Sequence, residues 1–295
     1  MSASPPSIDL RSAEEVGDLF DRAAEANRAT SGRRGSAVRL GREGRLVISG
    51  DLHDQRENLE KIIRFARLER GQDHHLVVQE VIHGEHLVNG MDFSYRTLAR
   101  IAELKVRHPG QVHHILSNHE LSQARGDSII KERGDDIAAF SEGLGYVFGD
   151  GADRVANAIG NYVRQLPLAV ITGAGVMCAH SLPSARKLGR FETDILEREL
   201  TEADLTGPEG SAYLMIWGRG LEETAARQLR QAWGVKQFVL GHQPAEMGWE
   251  EYGSNILVIN SDHARGVALP LDLSREYQQA ELIDRLVALA GLPSL

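Results

Sequence analysis

Seven side chains in this 295-residue chain are of types that bind metal ions or move protons, and each follows a short apolar run: Asp51, His53, Glu80, Asn118, His119, His180 and His242. The first pair lies in Leu46-Val47-Ile48-Ser49-Gly50-Asp51-Leu52-His53-Asp54. That pattern reads as a buried strand stopping at a sharp turn, where glycine takes backbone conformations closed to other residues. An Asp-x-His pair suits borderline divalent cations such as manganese, iron or zinc. Taken alone it is a weak signal, and a solvated turn is the simpler reading. Four later strand ends change the balance: Gln79-Glu80, Ser117-Asn118-His119-Glu120, His180-Ser181-Leu182-Pro183 and Gly241-His242-Gln243-Pro244. Two divalent ions about 4 Å apart need a bridging carboxylate with flanking imidazoles and oxygens. On this pattern Asp51 and His53 hold one ion, Asn118, His180 and His242 hold the other, and Glu80 bridges them.

Short apolar runs alternate with amphipathic segments along the chain. Strands are expected at 38–40, 45–49, 76–78, 112–116, 168–171, 175–179, 213–216, 237–240, 255–259 and 267–271, with 168–179 a hairpin. Helices are expected at 12–28, 55–68, 94–107, 222–233 and 276–289 from apolar residues at helical spacing. This alternation implies an α/β fold with largely parallel or mixed sheets and helices outside, whose strand ends converge on one crevice. Residues 1–37 read as an N-terminal helical appendage and linker. Residues 38–295 read as one domain, with 127–165 a helical cap-like part and 276–295 a C-terminal helix. His74, His75, His113 and His114 flank strand starts and read as structural or solvated, Trp217 and Trp249 as packing or cleft-wall aromatics.

Composition narrows the class. Hydrophobic residues make up 42% and charged residues 25%, as in ordinary globular proteins, and the net charge of -9 argues against broad binding to nucleic acid. The single cysteine, Cys178, cannot form an intrachain disulfide, which points to a reducing compartment; its apolar strand marks it as a small buried hydrophobe. No signal-type leader or membrane-length apolar run is seen, so a cytoplasmic location without membrane association is expected. The oligomeric state is not encoded in any feature of the sequence.

The motifs resemble those of the calcineurin-like metallophosphoesterases, within them the phosphoprotein (Ser/Thr) phosphatase branch. Gly50-Asp51-Leu52-His53-Asp54-Gln55 is similar to the family's Gly-Asp-x-His-Gly-Gln, and Gln79-Glu80-Val81-Ile82-His83-Gly84 stands where Gly-Asp-x-x-Asp-Arg is usual. Lys105 to Pro109 followed by Ser117-Asn118-His119-Glu120 resembles the helix, proline turn and Gly-Asn-His-Glu motif. His180 leading to Pro183, and Gly241-His242-Gln243 leading to Gly248-Trp249, resemble the last two. The resemblance spans about residues 45 to 270 and implies a four-layer αββα sandwich of mixed sheets with flanking helices.

It also implies a hydrolase that uses two divalent metal ions, manganese foremost with iron or zinc as alternatives. A metal-bridging hydroxide would attack the phosphorus of a phosphomonoester in line, the substrate being a phosphoprotein or a small phosphoester. His119 resembles the general acid, Arg219 a phosphate ligand, and Asn118 a ligand of both metal and phosphate. Three departures stand out. Glu80 replaces the bridging aspartate, His83 replaces the aspartate that orients the acid, and Gly84 replaces a phosphate-binding arginine. Glu120, Asp262 or Asp54 are candidates to orient His119, and Arg125, Arg186 or Lys187 to supply the missing cation; His263 also falls near the site. Hydrolysis of a dinucleoside polyphosphate, or a metal-binding but catalytically weak binding module, are the competing functions.

Overall fold

The computed structural model describes residues 8–127, 130–131 and 134–294. In chain order the elements are α1 (Ala13–Arg28), β1 (Arg33–Arg34), β2 (Ala37–Leu40), β3 (Arg45–Asp51), α2 (Arg56–Ala66), β4 (His74–Gln79), α3 (Tyr95–Arg107), β5 (Val112–His114), α4 (Asn118–Arg125), β6 (Ile130–Lys131) and β7 (Gly134–Asp135). There follow α5 (Asp136–Phe148), α6 (Ala152–Arg164), β8 (Ala169–Thr172), β9 (Val176–Ala179), α7 (Glu202–Leu205), α8 (Ser211–Ile216) and α9 (Glu223–Trp233). The chain closes with β10 (Gln237–Leu240), β11 (Trp249–Tyr252), β12 (Ile256–Ile259), β13 (Val267–Asp272), α10 (Gln279–Ile283) and β14 (Val287–Ala288).

Two mixed sheets carry the molecule. One runs β1-β2-β8-β9-β10-β12-β11 and the other β14-β13-β3-β4-β5. β3, β4 and β5 are parallel to one another, as are β9, β10 and β12, so each sheet brings three strand ends to one edge. Successive side chains of a strand face opposite ways, and β3 divides accordingly. Leu46 and Ile48 join Val77, Val239 and Leu257 in the layer between the sheets, while Val47 packs with the helical layer beside Leu59, Ile62 and Leu98. Both faces of β3 are therefore covered, which is why its sequence is a continuous apolar run. Each fully buried Leu, Ile or Val there contributes about 1.5–3 kcal/mol. Helices cover the outer faces, giving the αββα sandwich expected from the sequence.

The helix at the N-terminus is started by Ser12, whose hydroxyl accepts from the backbone of Glu15, with Glu14 and Glu15 favourably placed in the first turn. It buries Val16, Leu19, Phe20, Ala23 and Ala24 against α3 and α6, so this segment shares the helical-layer core. Arg33, within the stretch read as a linker, is drawn inward, donating to the carbonyls of Gly35, Asn27 and Gln165.

Three local expectations are corrected. Residues 213–216 form part of helix α8, not a strand; Ala212, Leu214, Met215 and Ile216 are all buried, and periodicity cannot separate a short apolar helix from a strand. The expected C-terminal helix over 276–289 is confined to Gln279–Ile283. Beyond it the chain pairs with β13, Val287 opposite Ala268 and Ala288 opposite Val267, an edge pairing that no local propensity announces. Trp249–Tyr252, read only as a motif, is an edge strand antiparallel to β12. The 168–179 hairpin is present as β8 and β9. Of the helical stretch read over 127–165, the described part forms α5 and α6 after the β6–β7 pair, and Ile129 lies outside the described residues.

Candidate metal centre

The two sheets are joined at the site. Asp51 at the end of β3 forms a parallel bridge with Asn260 just past β12, and the Ser261 N–H donates to the Asp51 carbonyl at 3.0 Å. Contact this close requires glycine: a Cβ on Gly50 would stand 2.0 Å from the Ile259 carbonyl oxygen. Gly241 is needed for a related reason, since a Cβ there would lie 2.1 Å from Asp51 Oδ1. Backbone strain gathers at the same place. Seven described non-glycine residues have positive φ, and five of them are His53, Asp54, Glu80, His83 and His242, with φ between 40° and 65°. Such conformations cost free energy and persist where the surroundings impose them.

Asp51, His53, Glu80, Asn118, His119, Arg219, His242, Asp262 and His263 line one cleft of about 420 Å³. Within it two groups of donor atoms lie within 4.8 Å of one another: His53, Glu80 and His119, and Glu80, His180 and His242. Glu80 belongs to both. Its Oε1 is 3.2 Å from His53 Nε2 and 3.8 Å from His119 Nε2, and its Oε2 is 2.9 Å from His180 Nε2. His119, read from sequence as the proton donor, thus stands in the first group, while Asp51 Oδ1 lies 3.7 Å from His180 Nδ1, the nitrogen turned away from Glu80.

Hydrogen bonds behind the imidazoles fix which nitrogen faces the cleft. His53 Nδ1 lies 3.1 Å from the Ile82 carbonyl, which can only accept, so Nδ1 carries the proton and Nε2 the lone pair. For His180 the partner is Gln79 Oε1 at 2.9 Å; the Gln79 amide is oriented by donating from Nε2 to the Ser49 carbonyl at 3.1 Å. His180 Nε2 then points at Asn118 Oδ1, 2.7 Å away, and at Glu80 Oε2. With His180 neutral, three lone-pair atoms converge with no N–H or O–H between them, an arrangement that a cation relieves, whether a metal ion or a second proton on His180. Asp51 Oδ1 and His242 Nε2 are buried without hydrogen-bond partners, which suits atoms that bind a metal ion. Asp51 Oδ2 is spoken for by the His242 N–H at 2.8 Å. The donor set of carboxylate, imidazole and amide oxygen fits divalent transition-metal ions.

The electrostatics point the same way. Burial, then the neighbouring Glu80 carboxylate, push the Asp51 carboxyl up to about 7. Burial opposes ionisation of Glu80 as well, but His180 and His119 hold it well below the usual carboxylate range. His180 is drawn upward, its burial outweighed by Glu80. Burial and the charge of His180 press His242 down to about 3, leaving it a neutral imidazole, the form that binds metal.

Other residues singled out from the sequence fall elsewhere. Arg125 does not reach the cleft: its guanidinium pairs with Asp127 and Thr206. Asp54 is engaged by Arg56 and Thr97. Glu120 is fully buried behind the cleft, where Oε1 accepts from the N–H groups of Val81 and Ile82 at 2.7 and 3.3 Å and Oε2 from Ser117. Burial raises its pKa, but His114 behind it more than compensates and holds the carboxyl down at about 2. It anchors the turn that presents Glu80. His83 is buried and bonded to Asp92, a residue without any motif context in the sequence. Gln79 was passed over in the same way, since a glutamine closing a strand has no chemical signature. Cys178 is buried within β9, and burial raises its thiol.

Among the described residues no helix is long and apolar enough to cross a membrane. The sequence matches no protein-family model and no curated protein. Solved structures do match. A protein serine/threonine phosphatase from Saccharomyces cerevisiae, described as similar to human phosphatase PP5, aligns over 94% of this chain and 88% of its own with a TM-score of 0.67 at 14% identity. The cold-active protein-tyrosine phosphatase of a psychrophilic Shewanella aligns over 87% of this chain and 82% of its own, with a TM-score of 0.58 at 16% identity. At such identities the likeness is one of fold, and with the two mixed sheets and flanking helices it makes this chain a protein of the calcineurin-like metallophosphoesterase fold.

Proposed function

We propose that the protein is a phosphoesterase that binds two divalent metal ions and hydrolyses phosphomonoesters. The observation that carries the reading is the position of Glu80, shared by two clusters of imidazole nitrogens at the meeting point of six strand ends. His53, Glu80 and Asp51 would hold one ion; Glu80, Asn118, His180 and His242 the other. When bound, the ions supply positive charge for the phosphate and lower the pKa of a water. The chain's own groups do the rest. Arg219, the one lysine or arginine lining the cleft among the described residues, offers its planar fork to phosphate oxygens. His119, 5% exposed at the cleft wall, holds a proton at Nε2 for the leaving oxygen, whose electron pair accepts it as the P–O bond breaks. Gln79 and the Ile82 carbonyl keep His180 and His53 turned toward the ions.

A monoester is favoured over a dinucleoside polyphosphate by the cleft wall. With Arg219 stand the acidic Glu246 and Asp262, a poor lining for a chain of several phosphates. The two structural neighbours described above are named as phosphatases, one for serine and threonine and one for tyrosine, which supports the monoester class without choosing the alcohol. The test is turnover of an aryl phosphate, a phosphopeptide and a dinucleoside polyphosphate by protein reconstituted separately with manganese, iron and zinc. Activity on the first two is expected, with manganese the expected best ion. Full metal occupancy without turnover of any ester would replace this reading with that of a binding module.

A further inference from the structure

The cleft at the carboxyl end of β3 has a counterpart at the strand's start. Six residues of extended chain separate the two, about 20 Å. A cavity of about 540 Å³ opens there, lined by Arg45, Phe65, Pro270, Asp272 and Arg285. None of these residues belongs to the metal centre, and the function proposed for it leaves them without a role.

The two cations of this cavity are not neutralised. Arg45 stands opposite Asp272 in the β3–β13 pair, where opposite charges ordinarily join. Asp272 is turned instead to its own loop, Oδ1 accepting from the Ser274 N–H at 2.9 Å and from Ser274 Oγ at 2.7 Å. Arg45 makes no ion pair among the described residues, and its Nε is buried without a hydrogen-bond partner. Burial, then the charge of Arg67, lowers its pKa. Its guanidinium carbon lies 4.5 Å from the Phe65 ring centroid, a contact that supports the cation without cancelling its charge. Arg285 also has no ion pair among the described residues and rests 5.0 Å from the Tyr277 ring centroid. Tyr277 is fixed in turn, its hydroxyl accepting from the Asp272 N–H at 2.9 Å. A partly buried cation without a counter-charge is costly. An oxyanion that enters between the two guanidinium groups removes that cost, since each offers it a planar fork of N–H donors.

We propose that this cavity is a second binding site, for a small phosphate compound with a flat apolar body, the phosphate held by Arg45 and Arg285 and the body lying on Phe65 and Pro270. Two guanidinium charges match a phosphate dianion better than a carboxylate, and the apolar wall gives a place to more than a free ion. The distance from Asp51 makes it a separate site and not a part of the metal cleft. The inference does not depend on the phosphoesterase reading.

The test is titration calorimetry of the full-length, metal-reconstituted protein with phenylphosphonate, which has no ester bond to hydrolyse. Arg45→Gln is expected to bind one equivalent fewer than native protein, or to bind that equivalent at least about tenfold more weakly. Arg285→Gln, altered at a more peripheral side chain, is expected to show the same loss and carries the test should Arg45→Gln fail to fold. Any binding at the metal centre is common to all three proteins, so the difference between them reports this cavity whether or not the protein hydrolyses esters. Benzoate, with one charge, is expected to bind the site at least about tenfold more weakly than phenylphosphonate. Amide ¹H–¹⁵N signals of Gly44 and Asp272 should move with phenylphosphonate in native protein and stay in place in Arg45→Gln. Equal stoichiometry and affinity in the three proteins, or unmoved signals in the native one, would overturn the site. Benzoate bound as tightly as phenylphosphonate would overturn the assignment to phosphate. A fall in kcat/KM on p-nitrophenyl phosphate in step with the lost equivalent would assign that equivalent to the metal cleft and overturn the proposal, leaving the phosphoesterase reading standing.

Discussion

The turns after β3 and β4 look alike and are built differently. Each ends a buried strand with a carboxylate, Asp51 or Glu80, follows it with an imidazole, His53 or His83, and forces non-glycine residues to positive φ. The first turn is braced by the opposite sheet: Gly50 lies against Ile259, Asp51 bridges to Asn260, and Ser261 closes the junction through Gly50 and Val267. The second turn is braced from the helical side, by Glu120 under Val81 and Ile82 and by Asp92, Ser94 and Phe140 around His83. A turn braced by backbone leaves little room for variation, and its motif follows the familiar pattern. A turn braced by side chains tolerates replacement as long as the replacements are matched. Gly84 shows how closely the two turns meet: a Cβ there would stand 2.6 Å from both Asp54 Cβ and the His53 carbonyl oxygen.

The largest effect should come from Glu80, the proposed ligand common to both ions. Glu80→Gln is expected to reduce phosphatase activity by at least about 10³-fold and metal content from two equivalents to one or none, because the low-dielectric site loses the charge that holds both cations. Elemental analysis of the purified variant checks this; two equivalents retained would mean that Glu80 does not bridge. His242→Ala should remove one equivalent only, with activity down by about 10²-fold, since it contributes to one group and leaves the other intact. Unchanged metal content would refute its assignment.

The brace of the first turn is open to a stability test. Gly50→Ala places a methyl 2.0 Å from backbone, where nothing can yield without parting the sheets. A loss of about 2–3 kcal/mol in unfolding free energy is expected by denaturant titration. A change below half of that would show the sheet junction to be compliant.

Proton competition gives a smaller effect. Asp51 titrates near 7 without metal, and ions bind its charged form. Metal binding therefore releases a proton, and affinity falls as the pH drops below that value. About a fivefold weakening of Kd is expected between pH 7 and 6, read by calorimetry. A flat profile would place Asp51 outside the ligand set. The least effect belongs to Arg125→Ala, which breaks a surface pair with Asp127 and should leave kcat/KM within about twofold and stability within about 1 kcal/mol.

The order of the proposed ligands was legible in the sequence because each sits at the end of an apolar run, where the local pattern fixes both the strand and its terminus. Asp51, His53, Glu80, Asn118, His119 and His242 could be placed at one cleft for that reason, and the structure brings them together, with His180 directly behind. Their partners were not legible. Gln79 orients His180 from a strand in the other sheet, and Asp92 meets His83 from the far side of a loop. Glu120, named from the sequence as a partner for His119, turns to the backbone of another turn. Which acceptor an imidazole meets depends on packing between elements distant in the chain, and no residue type or spacing encodes it. The same division holds for the fold. Residues 213–216 and 276–289 were misread where apolar side chains leave helix and strand equally open and the available neighbour decides. The sequence by itself determined the alternation of covered strands with helices and the chemical types at the strand ends, and the resemblance of its motifs implied the αββα plan. Only the tertiary structure decided that Glu80 stands in both clusters, that Arg125 is excluded, and that Asp92 stands behind His83, because these are distances between segments that only the packed core brings together.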